Sequence, residues 1–181
     1  MIFEYISKML GLLKLCIYKI IYPTRISFKG IPQVNKSIRI LTKKGAKITL
    51  GRGFKCREGV SIRADENARI MIGDNVFLND RVSINCRKKI SIGNNTIVGP
   101  GTMFFDHDHD YKNNIDDFIT KEIIVGDNCW IGANVTQLKG TKIGNNSVIG
   151  AGTLINSLID NNMLVYQQRS IIEKVFKNGK K

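Results

Sequence analysis

The chain has 181 residues, 43% of them apolar, with a formal net charge of +13. That size and apolar fraction describe one soluble domain with appendages, not several domains. Its four cysteines, Cys16, Cys56, Cys86 and Cys129, contain no C-x-x-C pair, which argues against a cysteine-based metal module and fits a reducing cytoplasm without disulfides.

The charge is uneven. Residues 1–50 hold ten Lys or Arg against the single acid Glu4, and the remaining residues hold 18 against 14. A basic N-terminal part points either to an anionic surface, such as phospholipid or acidic polysaccharide, or to a solvated basic face. No aromatic-basic platform or nucleic-acid motif accompanies it, so nucleic acid is not an expected partner.

Residues 1–22 are rich in Ile, Leu, Met and Tyr, with Glu4, Ser7, Lys8, Gly11, Lys14 and Lys19 recurring every three to four places. The spacing predicts an amphipathic helix ended by Pro23. Lys14 and Lys19 within the run argue against a transmembrane span, and no small-residue cleavage site marks a secretory signal. Two roles remain open: covering the sticky open end of a β-structure, or lying on the inner face of the membrane with its lysines toward phosphates. Residues 1–30 are therefore read as helix and linker. After them, Val34, Ile38, Ile40 and Ile48 predict short strands that make an incomplete first coil of a β-structure.

Five times an aliphatic-Gly pair precedes small polar residues: Leu50-Gly51, Ile72-Gly73, Ile92-Gly93, Val125-Gly126 and Ile143-Gly144. After each, a mostly apolar residue recurs every six positions, as in Val125, Ile131, Gln137, Ile143, Ile149 and Ile155. A smaller residue sits four places further on, among them Val76, Thr96, Cys129, Thr141 and Ser147. Six is neither a helical nor a simple strand period. It predicts a β-solenoid of about five triangular coils over residues 31–160, three short strands to a coil, with large and small residues pointing inward together. Gly and Asn after the aliphatic position suit corners that need positive φ. Cys56 and Cys129 fall on inward positions and read as buried small hydrophobes.

All extra residues between coils fall after the third strand, so they leave from one corner. The longest insertion, residues 107–121, reads His-Asp-His-Asp-Tyr-Lys-Asn-Asn at its start and holds both histidines of the chain. Insertions gathered on one edge of a solenoid build a binding face. Residues 161–181 form a C-terminal segment, with Ser170 to Phe176 predicted as a short helix.

The stretch from Ile124 through Asp127-Asn128-Cys129-Trp130-Ile131-Gly132-Ala133 to Ile149-Gly150-Ala151-Gly152 resembles the hexapeptide-repeat acyltransferases, most closely the sugar and capsular-polysaccharide O-acetyltransferases. The Asp106-His107-Asp108-His109 loop strengthens the resemblance. It implies a left-handed parallel β-helix, a homotrimer, and acetyl-CoA bound between neighbouring subunits. It also implies acetyl transfer to a hydroxyl of a sugar or surface polysaccharide, with a loop histidine as general base and no covalent intermediate. The matching base is His107, with His109 as competitor, and Asp106, Asp108 or Asp110 as the group orienting the imidazole. Asn85 and Trp130 match acceptor-binding positions. Trp130, Ala133, Ala151 and Arg169 match the donor site. Trp130 is expected at an outward corner position.

An N-acetyltransferase on an amino sugar or nucleotide-sugar fits the same residues, and a non-catalytic scaffold is a further alternative. A zinc site of three histidines is excluded in a symmetric trimer, because each chain has only two; no metal is expected. The expected location is the cytoplasm, or the inner membrane face.

Overall fold

In the computed structural model, which describes residues 2–168, helix α1 (Ile2–Ile21) leads into a parallel β-solenoid with three faces. The first face stacks seven strands in parallel: Ile26–Phe28, Lys47–Leu50, Arg69–Ile72, Lys89–Ile92, Ile123–Val125, Lys142–Ile143 and Leu158–Ile159. The second face stacks seven more, from Gln33–Val34 to Leu164–Val165, and the third stacks six, from Arg39–Thr42 to Leu154–Ile155.

This is six complete turns and part of another, not about five. The extra turns lie at the two ends. Ile26–Phe28 pairs with Lys47–Leu50 without an aliphatic-Gly signal of its own. At the far end Asp160 stands where other coils have glycine, yet Asn145 N–H still donates to Asn161 Oδ1 at 2.7 Å. The stacking geometry persists where the sequence signature has drifted.

The core is the single column of side chains inside the triangle. Ile48, Leu50, Ile62, Ile70, Leu78, Ile84, Val98, Phe104 and Ile131 are essentially inaccessible to solvent. The small inward residues Thr96, Thr102, Thr141 and Ser147 are also buried, and each hydroxyl finds a backbone carbonyl, as in Thr102 to Gly132 O at 2.8 Å. A buried hydroxyl with a partner avoids the desolvation cost that an unpaired one would carry. Cys56 and Cys129 are buried as expected, and burial pushes the Cys56 thiol up to about 12. Gln137 is the exception: it is fully buried and both amide atoms lack a partner among the described residues.

Positive φ at the corners falls to Gly and Asn, as the sequence leads one to expect, but not to the glycine that directly follows the aliphatic residue. Two places beyond that glycine the asparagines adopt it, near 55° at Asn75, Asn95, Asn128 and Asn146, and Gly53 adopts it at 70° in the matching place. The asparagine side chains form a ladder, each amide donating to the next at 3.1 to 3.2 Å. Gly93 and Gly126 instead need space: a Cβ there would lie 2.5 and 2.4 Å from the Asp127 and Asn145 side-chain oxygens one coil on. These glycines are required by close approach of successive turns, not by φ.

Helix α1 lies over the first coil and covers its open edge. A Cβ at Gly11 would sit 2.0 Å from the Val34 carbonyl oxygen, so only glycine lets the helix touch that strand. Ser7 Oγ accepts from Lys36 N–H at 3.3 Å and Leu15 is completely buried. The capping role read from the sequence is present.

Candidate active site

Every insertion leaves at the corner between the third and first faces, and the longest one is a β-hairpin. Its strands, His107–Asp110 and Asn114–Thr120, pair antiparallel with His107 opposite Thr120 and His109 opposite Phe118. Asp106 O accepts from Lys121 N–H at 2.9 Å, which closes the base of the hairpin. In an extended strand residues i and i+2 share a face, so the His-x-His spacing puts both imidazoles on one side.

The three candidate aspartates part company. Asp106 is fully buried at the end of the third-face strand Met103–Phe105. It accepts from the backbone N–H groups of Arg87, Lys88 and Lys89 at 2.7 to 2.8 Å and from the Cys86 thiol at 3.2 Å. His107 Nδ1 lies 3.0 Å from Asp106 Oδ1. Burial alone would raise the Asp106 pKa, but the bonds from His107 and the backbone N–H groups outweigh it and hold the carboxyl below its ordinary value. An ionised carboxylate only accepts, so His107 Nδ1 donates and Nε2 is the nitrogen left with a free lone pair. Asp108 pairs instead with Lys139. Asp110 caps the hairpin turn, accepting from Lys112 and Asn113 N–H. Cys86 has its thiol pushed up by burial and by the Asp106 charge, so it is no nucleophile.

His109 is exposed and its Nδ1 bonds the Ile115 carbonyl within its own hairpin. Phe118 stands between the histidines: its ring is 5.5 Å from that of His107, edge-on, and 4.4 Å from that of His109. It also covers Arg87, whose guanidinium is 3.3 Å from the ring centroid. Arg87 ion-pairs with the buried Asp65 at 3.0 Å, and Arg63 reaches the same carboxylate at 3.1 Å.

Together these groups line a cleft of about 270 Å³ bounded by Arg63, Asp65, Asn85, Phe105, His107, His109 and Phe118. Asn85 therefore does stand beside the histidines: it pairs with Phe105 in the third face, and its Nδ2 is steadied by Ser83 Oγ at 3.0 Å. Sequence reading missed Asp65, Arg63, Arg87 and Phe118. The 22-residue spacing of the early coils stacks Asp65 next to Arg87, so the column was available from the repeat.

Trp130, Ala133 and Ala151 are elsewhere. Trp130 is 58% exposed and sits within a second-face strand between Ile97 and Val148, facing outward but not at a corner as expected. Ala133 and Ala151 stack at the next corner, where Ala133 O accepts from Gly152 N–H. Among the described residues the N–H groups of Ala133 and Ala151 donate to nothing. In a single chain these three do not line the histidine cleft. Arg169 and the predicted helix from Ser170 lie outside the described residues. No group of three or more His, Cys, Asp or Glu among the described residues is placed to hold a metal ion.

Comparison with known proteins fits this architecture. Residues 122–157 match the hexapeptide repeat of succinyl-transferase. WbbJ of Escherichia coli K12, assigned to O-acetyl transfer in lipopolysaccharide biosynthesis, is 33% identical over 132 residues, or 65% of this chain and 66% of WbbJ. The chain spans 38% to 59% of the length of four further curated relatives. The N-acyltransferase AntD of Bacillus cereus superposes with a TM-score of 0.71 at 13% identity, covering 90% of each chain. The acetyltransferase VCA0836 of Vibrio cholerae, solved with acetyl-CoA, gives 0.53 at 22% identity, covering 97% of this chain and 89% of its own. The solenoid is thus a left-handed parallel β-helix, against the usual right-handed crossover. By repeat, fold and sequence, the chain belongs to the hexapeptide-repeat acyltransferases.

Proposed function

We propose that the protein transfers an acetyl group from acetyl-CoA to a hydroxyl of a sugar or surface polysaccharide, with His107 as general base. The observation that carries the reading is the contact of the fully buried Asp106 with the half-buried His107 at the cleft. Asp106, fixed by three backbone donors, holds the imidazole by Nδ1 and favours its positive charge once Nε2 takes a proton. His107 Nε2 takes the acceptor hydroxyl proton as the oxygen bonds to the acyl carbon. The carbon–sulfur bond then breaks, and the imidazolium returns the proton to the departing thiolate. A thioester is already activated, so the chain needs no covalent intermediate. His109, tied to its hairpin, serves the acceptor pocket with Asn85.

The amides of Ala133 and Ala151, which donate to nothing among the described residues, and the small side chains there suit the narrow pantetheine arm of acetyl-CoA, with Trp130 alongside. Because these groups sit away from His107 in one chain, the complete site requires a neighbouring subunit, which supports a homotrimer. The name of WbbJ supports an O-linked glycan acceptor.

The test is thiol release from acetyl-CoA with a panel of glycans. We expect His107→Ala to lower turnover on the order of 10²–10⁴-fold while acetyl-CoA still binds, and His109→Ala to raise KM with a smaller effect on kcat. Full activity in His107→Ala would remove the proposed base.

A further inference from the structure

Helix α1 is amphipathic in an unexpected sense: its apolar face points away from the protein. At 3.6 residues per turn, Gly11, Leu15, Tyr18, Ser7 and Glu4 lie on the side facing the solenoid. The opposite side carries Phe3, Ile6, Leu10, Leu13, Ile17 and Ile20, all exposed, with Phe3 at 88% and Ile20 at 77%. Tyr5 and Met9 widen this stripe, and the exposed Ile31 on the adjoining loop continues it. A helix that merely capped the solenoid would turn these residues inward. Here the inward side is secured by close backbone approach at Gly11 and by Ser7 and Lys14 bonds to Lys36.

We propose that this face docks the protein on an anionic phospholipid surface. Charge chooses the occupant. Lys8 and Lys19 border the apolar arc on one side and Lys14 on the other; in the free protein their ammonium groups rest on Glu4, the Phe28 ring and Lys36 O, and their long stems let them turn to phosphates once the apolar face enters a headgroup layer. The single acid of the region, Glu4, is turned away and paired with Lys8 at 2.8 Å. Residues 1–50 carry nine net positive charges. Width agrees: the arc spans about 160°, well beyond the two-position seam of a helix pair, so a second copy would leave much of it wet. No helix among the described residues is long and apolar enough to cross a membrane; the helix lies in the interface plane. Its place on the first coil makes that end of the β-helix the docked end.

The experiment is co-sedimentation of the full chain with vesicles of phosphatidylcholine plus phosphatidylglycerol, against phosphatidylcholine alone, at low and high salt. The variant Ile6→Ala/Leu13→Ala/Ile17→Ala removes outward apolar area with the best helix former, and Leu13→Glu/Ile17→Glu adds repulsion. We expect wild type to bind the anionic vesicles, to release at high salt, and to lose about tenfold or more in partitioning in either variant, with unchanged circular dichroism and acetyl-CoA turnover. Absence of wild-type binding to anionic vesicles overturns the proposal. So does binding that the variants retain, or a drop in oligomer size in the variants without any vesicle binding, which would assign the face to a second copy.

Discussion

The same corner of the β-helix holds two buried carboxylates, Asp65 and Asp106, in opposite surroundings. Asp65 is neutralised by side-chain cations: Arg87, Arg63 and, at 3.6 Å, Lys43. Asp106 is held by fixed backbone donors and a thiol, and its remaining partner is the His107 imidazole. A carboxylate matched by arginines has its charge cancelled and serves to position them. One solvated by peptide dipoles keeps its charge available to the one titratable base it touches. The corner thus yields a structural site or a reactive one according to what fills the space after the third strand. After Asp65 a short turn follows, whereas after Asp106 comes the hairpin.

This contrast is broken most directly by Asp106→Asn. The amide can donate, so it no longer selects the His107 Nδ1–H tautomer, and we expect kcat to fall on the order of 10²-fold or more with little change in acetyl-CoA affinity. An unchanged kcat would make the two corners equivalent. Next in size is Asp65→Ala, which leaves the Arg87 guanidinium, whose buried Nε has no partner among the described residues, without its anion. We expect a stability loss of about 1–3 kcal/mol by denaturant unfolding and a smaller loss of kcat than at Asp106.

Acid sharpens the comparison further. Both carboxyls are held below their ordinary pKa against the cost of burial, Asp106 by His107 and backbone donors and Asp65 by Arg63 and its neighbours. Their stabilisation is therefore complete above the unfolded value of about 4 and is lost as pH falls through the lower folded values. The Tm of wild type should drop over that range, and less steeply in Asp106→Asn; parallel profiles would contradict the assignment. The smallest effect belongs to Gln137, a third buried polar group on the same stack, with no partner at all among the described residues. Gln137→Leu restores the aliphatic pattern and should stabilise by about 1 kcal/mol, read as a raised Tm.

Much of this was legible from the sequence because the six-residue period is enforced at every coil by the same inward packing. The one-corner rule for insertions, the burial of Cys56 and Cys129, and the nearness of Asn85 to the histidines all follow from that frame. The choice of Asp106 among three aspartates did not. It depends on the hairpin base, where the residue before the first strand turns inward while Asp108 and Asp110 remain on the hairpin. Phe118 was also hidden, because it meets Arg87 from an insertion whose antiparallel register has no repeat behind it. The terminal coils escaped for the converse reason: their strands pair normally, but Asp160 and the Phe28-Lys29-Gly30 turn lack the aliphatic-Gly signature.

The asparagine ladder carries a consequence for how the molecule comes apart. Each inner rung both gives and receives one amide bond, so opening it costs two, whereas Asn162 at the far end is held on one side by Asn146. Among the described residues the structure resembles a zipper with one end clasped beneath α1 and the other ending at the Asn162 rung. We expect fraying to start at residues 158–165 and to travel toward the hairpin, one coil at a time, read as the earliest amide exchange along the solenoid.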